Sequence, residues 1–295
     1  MKTRLATSFG PLGAAFLLAS AAAAQDEPAG LMKQEAATGG ATDVASGGFE
    51  APVEAEADAK DNTEANISAG ALLTTGNARS FAATGAGKYR MRRGPNQFSA
   101  ALAANYARSA ADPSSDTETT VENYQGKLRY DRFISNNVAL FLALSGRRDR
   151  FQGLDLRLNV DPGVAYYFID EKSTQLWAEG GYDLQYDVRR DENIEAAALT
   201  GENLDKTETR HNGRLFAGYE NNISENVSFS TGIEYLQDVQ EGKNRRFNWD
   251  AGLSSSIGKG FSLATTFSLK YDHNPLPNVE KTDTITAVSL VYKLL

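Results

Sequence analysis

From Asn66 onward the chain is written in segments of roughly 10–14 residues in which apolar and polar positions alternate, separated by clusters of Gly, Asn, Asp, Pro and Ser. Gln175–Val188 is the clearest. One parity reads Leu176, Ala178, Gly180, Tyr182, Leu184, Tyr186, Val188, and the other Gln175, Trp177, Glu179, Gly181, Asp183, Gln185, Asp187. A period of two sends these sets to opposite faces of a sheet. Val138, Leu140, Leu142 and Leu144 oppose Ala139, Ala143, Ser145 and Arg147, with Phe141 an apolar exception on the polar side. Val227–Tyr235, Phe261–Tyr271 and Val288–Leu294 repeat the split.

Twelve such segments are expected: 66–74, 78–91, 96–108, 119–132, 138–149, 157–168, 175–188, 206–219, 226–239, 244–257, 261–273 and 282–294. Every second connection is short, as at Arg92–Pro95, Ile134–Asn137 and Gly258–Gly260. The others are longer, as at Ser109–Glu118, Arg189–Asp205 and Asn274–Lys281. This alternation predicts an all-β fold, a transmembrane antiparallel up-and-down β-barrel of about twelve strands. An even strand number puts both termini on one side, expected to be the periplasm. Ten residues tilted near 40° cover roughly 25 Å of membrane normal, so the lengths fit. A soluble β-sandwich also alternates, but its strands usually run about 5–6 residues.

Aromatics on the apolar parity fall into two groups. Tyr89, Phe98, Tyr130, Phe168, Tyr219, Phe229, Phe261 and Tyr292 lie near the short-turn ends, and Tyr106, Tyr124, Tyr186, Tyr235, Phe247 and Tyr271 near the long-loop ends. Two interfacial girdles have this pattern.

The first 24 residues have the layout of a signal peptide: Lys2 and Arg4, an apolar Phe9–Leu18, then Ala22-Ala23-Ala24. Residues 25–65 carry ten Asp/Glu against two Lys, are rich in Ala and Gly, and are expected to form a disordered acidic tail. That segment accounts for the net charge of −8, leaving residues 66–295 near neutral. Past the leader no apolar run reaches helical membrane-span length. The chain has no Cys, which excludes disulfides and thiolate metal sites, and no basic stripe of the kind nucleic acid requires.

The block Arg148–Tyr167, RDRFQGLDLRLNVDPGVAYY, resembles a family described as salt-induced outer-membrane proteins and catalogued as domain-of-unknown-function family 481. The matching residues are Asp149, Arg150, Phe151, Gly153, Leu154, Asp155, Leu156, Arg157 and Gly163. Thr75-Gly76-Asn77 and Tyr124–Phe133 are also similar to the family. The resemblance covers about residues 66–295. It implies an outer-membrane barrel and no settled activity. Members usually end in an aromatic, whereas this chain ends Tyr292-Lys293-Leu294-Leu295.

Charged residues collect on the polar parity: Lys88, Arg90, Lys127, Arg129, Arg147, Asp149, Arg157, Asp161, Glu179, Asp183, Asp187, Arg210, Arg214, Glu234, Asp238, Asp250, Lys270 and Asp272. A midplane Arg or Lys facing lipid costs about 2–4 kcal/mol, so these are expected to line the lumen. They would act there as an ion-pair network, or as a pore wall that orients a charged solute. Asp149, Asp155, Arg157 and Asp161 crowd one hairpin, where pairing of the acids with Arg148, Arg150 and Arg157 is expected ahead of Ca²⁺ binding. Ile194–Leu199 is an apolar stretch suited to a short helix at the mouth. The only histidines, His211 and His273, have no Ser two residues away, which argues against a Ser–His catalytic pair.

The function expected is a narrow channel or an envelope-stress structural protein in the outer membrane. The alternatives are a non-conducting barrel that binds through its loops or tail and, behind it, an enzyme at the membrane interface. Expected partners are outer-membrane lipid, the barrel assembly machinery and small solutes or ions, with no nucleic acid and no cofactor.

Overall fold

A computed structural model of the chain describes residues 62–74, 80–110, 116–150, 152–171, 173–199, 201, 203–276 and 280–294. The signal peptide and most of the acidic tail lie outside these residues, as does the connection through Thr75-Gly76-Asn77.

Twelve strands follow one another in chain order: β1 Asn62–Thr74, β2 Ser80–Arg93, β3 Asn96–Ser109, β4 Glu118–Phe133, β5 Val138–Asp149, β6 Leu154–Asp170, β7 Thr174–Arg189, β8 Thr207–Ser224, β9 Val227–Asp238, β10 Arg245–Gly258, β11 Phe261–Asp272 and β12 Thr282–Lys293. Each pairs antiparallel with its sequence neighbours, and β1 pairs with β12, so the sheet closes. The closing seam is registered over Asn66–Ala69 against Leu290–Lys293, and closure is the condition for a sheet to sit in lipid.

Each predicted segment corresponds to one strand. β1 starts at Asn62, so Asn62–Ala65 belong to the barrel rather than to the tail. β8 runs on to Ser224, past the expected end at 219. Tight connections close one end, the turn end, where the left-handed backbone of Gly258, Lys259 and Gly260 reverses the chain. The longer connections gather at the other, the loop end. There α1, Asp191–Leu199, begins three residues before the predicted helix and carries Asp191 and Glu192 in its first turn, where the helix dipole favours acids.

Alternation now reads as inside and outside. Leu128, Leu140, Leu142, Leu144, Val164, Leu215, Ile233, Leu263 and Leu290 point outward, each at least 44% exposed. An apolar band of that extent is foreign to a water-facing surface and suits a hydrocarbon environment. The predicted girdle aromatics share this outer face. Tyr130, Phe168, Phe261 and Tyr292 lie toward the turn end, and Tyr124, Tyr186 and Tyr235 toward the loop end.

Candidate functional site

The inward face holds the polar chemistry. Lys127, Arg129, Arg147, Asp149, Asp161, Glu179, Asp183, Asp187, Arg214, Glu234, Asp238 and Asp250 are buried in the lumen. Arg157, Arg210, Lys270, Asp272, Lys88 and Arg90 lie on the same parity and are partly accessible. All the lumen candidates read from the sequence therefore face inward, and they sort into layers along the barrel.

Nearest the turn end is an aromatic layer that the polar-inside rule does not anticipate. Phe133 of β4, Phe141 of β5, Tyr167 of β6, Trp177 of β7 and Phe216 of β8 are all buried in the lumen. Ring centroids step from Phe133 to Tyr167 at 6.0 Å, to Trp177 at 6.5 Å and to Phe216 at 5.8 Å. Room comes from cross-strand glycines. Gly163 is the register partner of Phe141, Gly218 that of Trp177, and a Cβ at either glycine would run into its partner's ring. Gly163 of the family-like block thus has a packing role. Arg92 closes the layer from the turn side, its guanidinium 4.2 Å from the Phe133 ring centroid, a distance at which a cation is attracted to the ring face.

Next comes a charged layer. Arg129 donates to Asp131 and, at 2.7 Å, to Glu179. Arg214 donates at 2.8 Å to both Glu179 and Glu234, and Asn248 completes Glu234 at 2.9 Å. Charges this well buried persist because each is paired and hydrogen-bonded. Arg129 also stacks 4.2 Å from the Phe141 ring centroid, tying this layer to the aromatic one. Above it Asp183 accepts from Asn159 and Asn212, while Arg246 donates to Gln185 and lies 3.9 Å from Asp183.

Toward the loop end the lumen opens into a cavity of about 720 Å³, including space open to solvent. Arg147, Arg157, Arg189, Arg210, Arg246, Lys270 and Lys281 line it, with Asp187, Glu208, Asp272 and Glu280. Arg157 makes a two-point contact with Asp187 at 2.7 and 2.6 Å, a strong charge-assisted geometry. Arg189 and Arg210 share Glu208 at 2.5 and 2.8 Å.

The expected pairing inside the β5–β6 hairpin is corrected. Arg148 and Arg150 approach Glu122 on β4, at 4.0 and 3.8 Å. Asp149 pairs with Arg147 and Arg157 with Asp187, while Asp155 takes Arg190 and Lys206. Side chains alternate across a strand, so acids and bases close in sequence face different neighbours, and cross-strand register chooses the partners. Among the described residues no group of three or more His, Cys, Asp or Glu is placed to hold a metal ion.

The rest of the family-like block builds the rim. Gly153 adopts a left-handed φ of 71° and its carbonyl accepts from the Arg190 amide at 2.9 Å. Leu154 is buried beside the cavity and Leu156 is exposed on the outer face. Phe151 lies outside the described residues. Lys206 bonds Asp191 at 2.6 Å and Asp155 at 3.3 Å, and the hydrogen bond to Asp191 raises its pKa above the usual lysine value. These contacts fasten the α1 loop to the tip of the β5–β6 hairpin.

Sequence reasoning passed over Arg92, Asp131, Arg189, Glu208 and Arg246, all inward or at the lumen's ends. Parity with Arg129 would have found Asp131, and parity with Asn248 would have found Arg246. His211 faces outward, bonded to the Tyr182 hydroxyl, and His273 bonds Tyr271 at 2.9 Å.

On the far side of the lumen many inward residues are small, with Lys88 and Arg90 of β2 and Lys270 and Asp272 of β11 as charged exceptions. Ser68 and Gly70 of β1, Thr84 and Ala86 of β2, Ser262, Ala264 and Thr266 of β11 and Ser289 of β12 all stay partly accessible. The interior is lopsided: β4–β9 fill it with rings and ion pairs, and β11, β12, β1 and β2 leave space.

The chain matches the family described as "Protein of unknown function, DUF481" over residues 67–294, and belongs to it. No curated protein matches. Similar solved structures include the NanC porin, 8% identical over 79% of this chain and all of that one, with a TM-score of 0.48. The translocator domain of the autotransporter NalP from Neisseria meningitidis is 12% identical over 79% of this chain and 87% of its own, with a TM-score of 0.40. An outer membrane channel from Pseudomonas putida F1 is 10% identical over 83% and 97%, with a TM-score of 0.42.

Proposed function

We propose that this DUF481 member is an outer-membrane barrel, both termini in the periplasm, that passes ions and small polar solutes by a narrow off-centre path. The observation that carries the reading is the lopsided lumen. Bulky residues from β4–β9 occupy one side, and on the other the inward Ser, Thr, Ala and Gly of β11, β12, β1 and β2 are interrupted by the charged Lys88, Arg90, Lys270 and Asp272 among the residues described there. Twelve strands fall between small barrels that side chains fill and sixteen-stranded porins with an open channel. An interior half filled by side chains would leave a passage with many polar contacts and little width.

The test is single-channel recording of the refolded full chain in planar bilayers at 1 M KCl. Discrete steps well below those of a sixteen-stranded porin are expected, and a silent membrane with correctly inserted protein overturns the reading. A silent membrane would favour the second reading, a non-conducting barrel that binds through its loops or tail. That reading draws on the packed rings and ion pairs of the β4–β9 side.

A further inference from the structure

We propose that the loop-end cavity is a binding site for small anions carrying two or more carboxylate or phosphate groups. As a selectivity site it deepens the reading of the barrel as a channel, although binding itself does not require conduction.

The inference rests on how the cavity's charges are shared. Arg157 is fully engaged by Asp187. Its neighbours are not matched one to one. Arg189 and Arg210 divide a single carboxylate, Glu208. Among the described residues the buried Nε of Arg210 has no hydrogen-bond partner. Arg246 gives its short bond to the neutral amide oxygen of Gln185, and its nearest carboxylate, Asp183, is 3.9 Å away. Arg157 and Arg210 lie close enough to Arg246 to repel it, while Asp183 and Asp272 attract it. Across the cavity Lys270 and Lys281 stand with Asp272 and Glu280, so that side is balanced. The positive excess therefore lies where Arg189 of β7 and Arg210 of β8 share Glu208, beside the loosely paired Arg246 of β10.

Guanidinium groups present paired N–H donors that match carboxylate and phosphate oxygens. An anion with two such groups could bridge Arg210, which shares its carboxylate with Arg189, and Arg246, whose nearest carboxylate is 3.9 Å away. The cavity is open to solvent at the loop end, which gives a small organic polyanion a way in. A cation would meet the same guanidiniums as repulsion, which gives discrimination by sign.

The experiment is calorimetric titration of citrate into the detergent-refolded full chain at low salt, with folding verified by heat-modifiable gel mobility. Saturable binding is expected for the wild type, and Arg246→Gln should weaken it about tenfold. Glu208→Gln should tighten it, because removing the shared acid frees Arg189 and Arg210. Mere disruption of the site would loosen it. Arg148→Gln, which removes a charge from the outer face, should leave binding unchanged. No saturable heat, no effect of Arg246→Gln, or weaker binding in Glu208→Gln would overturn the proposal. Conductance separates the two claims. A chain that binds citrate and conducts nothing keeps the site and loses the channel. One that conducts, yet neither binds citrate nor is blocked by it, loses the site alone.

Discussion

Replacing Arg214 with Leu tests whether the charged layer is a dry, interlocked structure or a solvated lining. Arg214 lies between Glu179 and Glu234 at 2.8 Å from each, and the three side chains are 2%, 2% and 0% exposed. Its removal takes from Glu234 its guanidinium partner, leaving the Asn248 amide beside it, and leaves Glu179 with Arg129. Deleting one member of a buried ion pair typically costs about 3–5 kcal/mol, because a carboxylate is left uncompensated away from water. Arg129 still holds Glu179, so the lower end, about 3 kcal/mol, is expected. The double variant Arg214→Leu/Glu234→Leu removes the carboxylate as well and should recover most of the loss, to within about 1 kcal/mol of wild type. Reversible urea unfolding from lipid vesicles, followed by the fluorescence of the two tryptophans, reads both numbers. If Arg214→Leu changes stability by less than about 0.5 kcal/mol, the size of a surface effect, the layer is wet and the packed-lumen argument fails.

Three further outcomes follow from the same geometry. Leu142 is outward and 45% exposed at mid-strand, so Leu142→Arg should destabilise the vesicle-inserted barrel by about 2–4 kcal/mol in the same unfolding assay. A Cβ at Gly218 would strike the Trp177 indole; Gly218→Ala should therefore cost about 1–3 kcal/mol alone and much less in a Trp177→Leu background. The raised pKa of Lys206 means its bond to Asp191 is fully present below the ordinary lysine pKa of 10.5 and is lost only as pH climbs through the residue's own, higher pKa. A spin label at Glu195→Cys, unambiguous in a chain without cysteine, should report a more mobile α1 above that pH and unchanged mobility below it.

The strands were legible because parity repeats over many residues and burial enforces it. Gln175–Val188 separated into its lipid-facing and lumenal sets without a structure, and the lumenal charges were found by the same rule. Strand ends were less legible. Asn62–Ala65 and Glu220–Ser224 are strand by pairing, yet they lie at the turn end of the barrel and carry little apolar signal. The aromatic layer was hidden for the opposite reason. Trp177 and Phe141 sit on the polar parity, and nothing in the pattern says that an inward ring packs against a glycine across the ladder. That fact belongs to register, as do the true partners of Asp155 and Arg157. A single sequence shows which face a residue takes long before it shows which neighbour it meets.

The most direct test of the account is where its two tryptophans lie. Trp249 is 37% exposed on the outer face of β10, and Trp177 is 4% exposed among the lumenal rings. In single-tryptophan variants, Trp177→Phe and Trp249→Phe, refolded into vesicles of bromine-labelled lipid, the remaining Trp249 should be strongly quenched and the remaining Trp177 almost untouched. Equal quenching of the two, or quenching of Trp177 alone, would contradict a barrel that faces lipid with its apolar parity and fills its interior with the other.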